Sequence, residues 1–212
     1  MELIIARHGN TFSKGDKIVW VGRNEDLPLT LEGEAQAAGV AQELQGISLA
    51  AVYCAPLHRT RRFAEIITNL LGIPAPITEK RLTEIDYGVW GGKSDGEIIA
   101  AGGEGALKGW KEEGTWPEVG VWGSLKEEIR AAIHSFAKEL TMTYGVDDKV
   151  LIVSSNGCIR FFLELLDVIP EEIALNHGKV KTGHLCSLSF NETDHSYTLN
   201  YWNKACAAEV LK

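Results

Sequence analysis

Three short apolar runs, each cut off by a polar or glycine-bearing turn, set the rhythm of this chain. The first is Leu3 to Ala6, the second Ala50 to Cys54, the third Lys149 to Ser154. Runs this short and aliphatic, without alternation, are expected as strands buried on both faces. Between them the period lengthens to that of a helix. Thr30 reads as an N-cap with Glu32 in the first turn, opening a helix to about Gln45 that Gly46 stops. Pro56 suits the first turn of a second helix that carries Leu57, Ala64, Ile67, Leu70 and Leu71 and ends at Gly72. The clearest periodicity runs from Ser124 to about Thr143, with Leu125, Ile129, Ile133, Phe136 and Leu140 on one stripe. A further helix with Ile159, Phe162, Leu163 and Leu166 follows Gly157. Leu185 to Phe190 and Tyr197 to Tyr201 alternate as closing strands of a possible hairpin. Strands alternating with helices predict an α/β fold, a three-layer α/β/α sandwich with a mostly parallel central sheet.

Three stretches escape this pattern. Phe12 to Leu29 is a polar loop holding Lys14, Lys17, Trp20 and Arg23. Arg81 to Gly92 carries too much glycine for a regular element. Residues 94–123 read as a helical piece followed by a glycine-rich connection with Trp110, Trp116 and Trp122. This segment is a lid or side wall, or else a surface insertion. Pro74 to Ile77 reads as a short extended piece.

Bulk numbers narrow the class. At 212 residues one domain spanning 1–212 is the simplest organisation. A net charge of −8 argues against nucleic acid or an anionic membrane as partner, so any anion must be caught by a local basic pocket. Glu2 comes at once and the first apolar run is four residues long, so no secretory leader is expected. Cys54, Cys158, Cys186 and Cys206 lie far apart with no C-x-x-C, which points to free thiols in a reducing cytoplasm. The oligomeric state is open, a homodimer being one option.

Each buried run ends in chemistry. Arg7-His8 follows the first, Arg59 lies shortly after the second and Asn156 after the third. Strand ends of an α/β sheet converge on one rim, where two arginines, an imidazole and an amide would make a compact anion site. Taken singly, His8 could cap a strand and Arg59 could be a solvated surface charge.

Longer segments decide between these. Arg7-His8-Gly9-Asn10-Thr11 resembles an R-H-G-[E/Q]-[S/T] signature. Asp26 to Ala37 resembles D-x-P-L-T-x-x-G-x-x-Q-A, Tyr53 to Thr60 resembles S-S-P-L-x-R-A, and Leu82 to Gly92 resembles L-x-E-x-x-[FY]-G-x-W-x-G. In this order the four resemble the histidine phosphatase superfamily, whose fold is called phosphoglycerate-mutase-like. The resemblance implies that His8 takes up a phosphoryl group as phosphohistidine. It implies that Arg7 and Arg59 hold the phosphoryl oxygens, and that Glu84 serves as general acid and then base. No metal or cofactor is implied. The partners would be a small phosphorylated substrate and inorganic phosphate.

The chain departs from the family at one position that matters. Where the family has V-x-x-H-G, this sequence has Asn156-Gly157. An amide still donates a hydrogen bond, but it carries no charge and reaches less far. Losing a donor of this kind costs about 3 kcal/mol, roughly a hundredfold in rate. Three explanations compete: a natural variant compensated by His184, Arg160 or Lys14; a protein tuned to hold phospho-ligands; and a substitution made to trap a ligand. The first is preferred. Lys14 also stands at or near a position where the family has asparagine, and Phe63 where it often has threonine. Asn10 is a further candidate for the site. Ile85 follows Glu84 where mutases have arginine, and residues 94–123 hold Lys108 and Lys111 but no arginine for a substrate carboxylate. The expected function is therefore a phosphomonoester hydrolase. A phospho-ligand-binding protein with little turnover is the alternative, and a phosphoglycerate mutase is disfavoured. The three tryptophans are either core or an apolar wall for the leaving group.

Overall fold

A computed structural model describes residues 1–206. The three apolar runs form parallel strands β1 (Glu2–Arg7), β2 (Ala51–Cys54) and β4 (Lys149–Ser154), with a two-residue strand β3 (Ile77–Thr78) beside β2. β5 (Leu185–Asn191) runs antiparallel to β1, and β6 (Ser196–Lys204) forms a hairpin with β5. Among the described residues the strand order is β3-β2-β4-β1-β5-β6, a mostly parallel six-stranded sheet.

Alternation along β1 shows why its run is apolar throughout. Leu3 and Ile5 point into one core, Ile4 and Ala6 into another. The second core is covered by α1 (Leu31–Glu43) and α2 (His58–Leu71), through Ala37, Val40, Phe63 and Ile67. The first is covered by α5 (Lys126–Thr143), through Ile129, Ile133, Phe136 and Leu140, and by the chain between Leu82 and Trp122. The sheet is thus the middle layer of three, as the alternation of strands and helices predicts.

The helix ends follow local chemistry. Thr30 accepts a hydrogen bond from the Gly33 N–H at 3.1 Å and caps α1. Gly72 ends α2 in the left-handed region, at φ 66°. Two expectations fail at the starts. Leu57 is the N-cap of α2, so Pro56 precedes the helix instead of sitting in its first turn. Leu125 is the N-cap of α5 and is exposed, so the buried stripe begins at Ile129. The helix expected after Gly157 is one α-turn, α6 (Asn156–Ile159), continued as a 3-10 helix over Arg160–Leu165. Residues 94–123 hold α3 (Asp95–Ala100), opened by a Ser94/Glu97 capping box, then α4 (Glu104–Lys108) and a π-helical turn at Gly109–Glu113. Among the described residues no helix is long and apolar enough to cross a membrane.

Candidate active site

The carboxyl ends of β1, β2 and β4 meet on one rim, because the three strands are parallel neighbours. A cavity of about 700 Å³ opens there. Arg7, His8, Arg59, Glu84 and Asn156 all contribute to its wall, with Asn10 and Thr182 beside them. Five positions far apart in sequence are therefore brought together.

His8 is fixed from three sides. Its N–H donates to the Ser154 carbonyl at 3.1 Å, which ties the end of β1 to the end of β4. Gly9 lies so close to α1 that a Cβ there would come within 2.6 Å of the Gly33 Cα. The imidazole Nδ1 lies 2.8 Å from the Gly9 carbonyl. A carbonyl only accepts, so Nδ1 carries the proton and Nε2 keeps its lone pair. Burial, and then the charges of Arg59 and Arg7, push the His8 pKa well below 6.5. The ring is neutral and in the tautomer whose free nitrogen is Nε2.

The two arginines are braced by backbone. Arg59 is fully buried at the start of α2 and donates to the Glu25 carbonyl at 2.8 Å and the Gly22 carbonyl at 3.1 Å. These carbonyls belong to the polar loop before α1, so Arg59 also holds that loop against the cavity. Arg7 donates from Nη1 to the Val180 carbonyl at 2.6 Å. The Val180 N–H in turn donates to Asn156 Oδ1 at 2.9 Å. One peptide segment thus orients both Arg7 and Asn156. Since Oδ1 is occupied, the amide group left for a ligand is Nδ2, a donor.

Glu84 is buried across the cavity. Its carboxylate accepts from the N–H groups of Ile85 at 2.9 Å and of Gly157 and Cys158 at 3.2 Å. Only glycine allows this approach. A Cβ on residue 157 would collide with the Glu84 carboxylate and lie 2.7 Å from Ile85 Cδ1.

Sequence reasoning missed three parts of the wall. Tyr87 is buried and lines the cavity. Burial and the nearby Glu84 raise its phenol pKa well above 10, so it is a neutral donor. The [FY] alternative in its motif was the available signal. Thr182 hydrogen-bonds Asn10, and no local pattern marks it. Trp20 lines the mouth with Ile18, and its indole N–H donates to Asp95 at 2.9 Å.

Other expected residues lie elsewhere. Lys14 is exposed and forms no part of the wall. His184 is buried, with Nδ1 donating to the Asn203 carbonyl at 2.9 Å, and is also outside the wall. Arg160 stands behind Asn156, 4.7 Å from the Trp110 ring centroid, and does not line this cavity. Trp110, Trp116 and Trp122 pack edge-to-face on one another at 4.7 to 5.9 Å and lie off the wall, so they are packing and not a leaving-group surface. Residues 94–123 reach the mouth instead through Ser94, Asp95, Gly96 and Lys111, with Lys111 paired to Asp95. Among the described residues no three His, Cys, Asp or Glu side chains group as a metal site.

The family model described as "Histidine phosphatase superfamily (branch 1)" matches residues 3–204. A 2,3-bisphosphoglycerate-dependent phosphoglycerate mutase of Methylobacterium sp. (strain 4-46) is 26% identical over 172 residues, covering 80% of this chain and 82% of that protein. A protein named "Probable phosphoglycerate mutase GpmB" from Cronobacter sakazakii (strain ATCC BAA-894) is 34% identical over 89 residues, which is 42% of this chain and 40% of that one. A mycobacterial glucosyl-3-phosphoglycerate phosphatase shares the fold at a TM-score of 0.81 and 24% identity, covering 97% of this chain and 99% of its own. That protein has also been solved with VO3 and with inorganic phosphate. An alpha-ribazole phosphatase from Shigella flexneri has a TM-score of 0.75 at 23% identity, with 96% of each chain covered.

Proposed function

The chain belongs to the histidine phosphatase superfamily, and from that premise we propose that it is a phosphomonoester hydrolase working through a phosphohistidine on His8. The observation that carries this is the Nδ1 hydrogen bond to Gly9, which leaves Nε2 as a lone pair beside two arginines. In the first step Nε2 attacks phosphorus, the phosphorus–ester oxygen bond breaks, and Glu84 gives its proton to the leaving alkoxide. In the second, Glu84 takes a proton from water, the water oxygen attacks phosphorus, and the phosphorus–nitrogen bond breaks to release phosphate. Arg7 and Arg59 stabilise the charge on the equatorial oxygens through both steps. Asn156 Nδ2 and the Tyr87 hydroxyl supply neutral donors where the family has a second histidine. No metal is required by this scheme.

Hydrolysis is favoured over mutase chemistry by the mouth of the cavity. Its one cation from residues 94–123 is Lys111, and Asp95 already neutralises it. A phosphoglycerate carboxylate would find no unpaired arginine there. We read residues 94–123 as a side wall that limits the leaving group. The phosphatases that share the fold support a hydrolase, and the family match supports a histidine at the centre of the chemistry.

A panel of small aryl and alkyl phosphates, run on the native and His8→Ala proteins, tests this. Hydrolysis that His8→Ala abolishes is expected, and turnover surviving that change defeats the reading. The second reading, a phospho-ligand-binding protein, is favoured only by Asn156. It predicts phosphate binding without measurable turnover in the native chain and a large gain in Asn156→His.

A further inference from the structure

The wall formed by Arg7 and Asn156 has a second side. Behind it lies another cavity of about 590 Å³, lined again by Arg7 and Asn156 and by Arg160, Lys179, Lys181 and Trp202. Four cations therefore face one space, with Glu172 the carboxylate on its wall. None of the four has an ion-pair partner among the described residues. By contrast, Arg81 pairs with Glu79 and Glu139, and Arg130 with Glu127 and Glu164.

Arg160 is the most telling of them. Its guanidinium lies 4.7 Å over the Trp110 ring, which holds its plane but accepts none of its in-plane hydrogen bonds. Its Nε is buried without a hydrogen-bond partner, and so is the Nε of Arg7. The Arg160 side chain is only partly buried and its outer guanidinium nitrogens have no protein acceptor among the described residues, so they stay open to an anion in this cavity. In a protein of net charge −8, four unpaired cations around one cavity mark a place for an anion.

We propose that this cavity is a second oxyanion site that takes inorganic phosphate, with Arg160 as its fork and Lys179 and Lys181 closing over it. Arginine's planar donors match tetrahedral oxyanions, and the lysines add charge at the exposed edge. Because Arg7 and Asn156 belong to both walls, an anion on one side weakens anion binding on the other, and the coupling is reciprocal. Phosphate released at His8 would thus restrain the next turnover from behind the catalytic wall. The choice of phosphate as ligand rests on the hydrolase reading; the cation arrangement does not.

Calorimetric titration of the full chain with inorganic phosphate tests the site. Two binding events are expected for the native protein. One event should vanish in Arg160→Met, or weaken by at least about tenfold, while the other remains. The exposed pair Lys179→Glu/Lys181→Glu should act likewise, and it leaves the packing of Arg160 on Trp110 untouched. Both variants should keep the native initial rate on an aryl phosphate and lose part of the inhibition by added phosphate. Native phosphate binding that neither Arg160→Met nor the double lysine variant weakens overturns the proposal. Binding is counted without turnover, so a failure of the His8 mechanism would leave this result readable.

Discussion

At the scale of single residues, the site turns on which nitrogen of His8 is free. Gly9 accepts the Nδ1 proton, and burial beside two arginines keeps the ring neutral. The rate on the acid side should therefore hold through pH 6.5, where an ordinary imidazole is half protonated, and fall only lower. A kcat/KM profile checks this, and an acid limb centred at the ordinary histidine value would contradict it. The same depression has a sign for stability. Below about pH 6.5 the unfolded chain binds a proton at His8 that the folded chain does not, so this contribution is lost as pH falls toward the folded value. Glu84→Gln should lower kcat by about 10² to 10⁴ on alkyl phosphates and less on p-nitrophenyl phosphate, whose leaving group needs little proton help. Asn156→Ala should cost about a hundredfold in kcat/KM, whereas Asn156→His should change it by less than about tenfold. Comparing kcat/KM of these two variants with the native protein decides whether the amide works as a donor. His8, Arg7, Arg59 and Glu84 were legible because each sits inside a motif of several fixed residues. Thr182 was not, since its place depends on a chain reversal about 170 residues after Asn10.

At the scale of elements, the site depends on close approaches that only glycine permits. Gly157 lets the first turn of α6 donate two N–H groups to Glu84. Gly157→Ala should displace that carboxylate and lower kcat by about a hundredfold while circular dichroism shows the fold retained. A loss of fold, or no loss of rate, would refute this role. The buried strands were readable because both faces of β1 and β4 are core, which leaves their runs free of polar residues. Helix starts were less readable: Leu57 and Leu125 are apolar N-caps without a side-chain hydrogen bond, so propensity began the two helices at Pro56 and Ser124, two residues early. Residues 94–123 resisted because short α and π turns strung between glycines carry no sustained period. Their tryptophans bury against one another, whereas Trp20, in a polar loop, reaches the mouth.

At the scale of the whole molecule, the sheet separates two cores, and the cysteines are packed into them. Burial lifts Cys54 to about 11 and Cys158 and Cys186 to about 12. These thiols should resist a disulfide reagent in the native protein and react together on unfolding, so labelling against denaturant should follow the loss of tertiary structure. Fast labelling of the native chain would contradict that packing. The three-layer fold could be read from the alternation of runs, but the second basic cavity could not. Arg160 and the Lys179/Lys181 pair come from separate stretches, and only the packing of α6 against the segment before β5 gathers them with Arg7.

The central claim is that His8 carries the phosphoryl group, and trapping that intermediate tests it most directly. During turnover of an aryl phosphate, rapid quenching into alkali followed by peptide mass spectrometry should find an acid-labile, base-stable phosphate on His8. Its absence, or a phosphate on any other residue, would contradict the account.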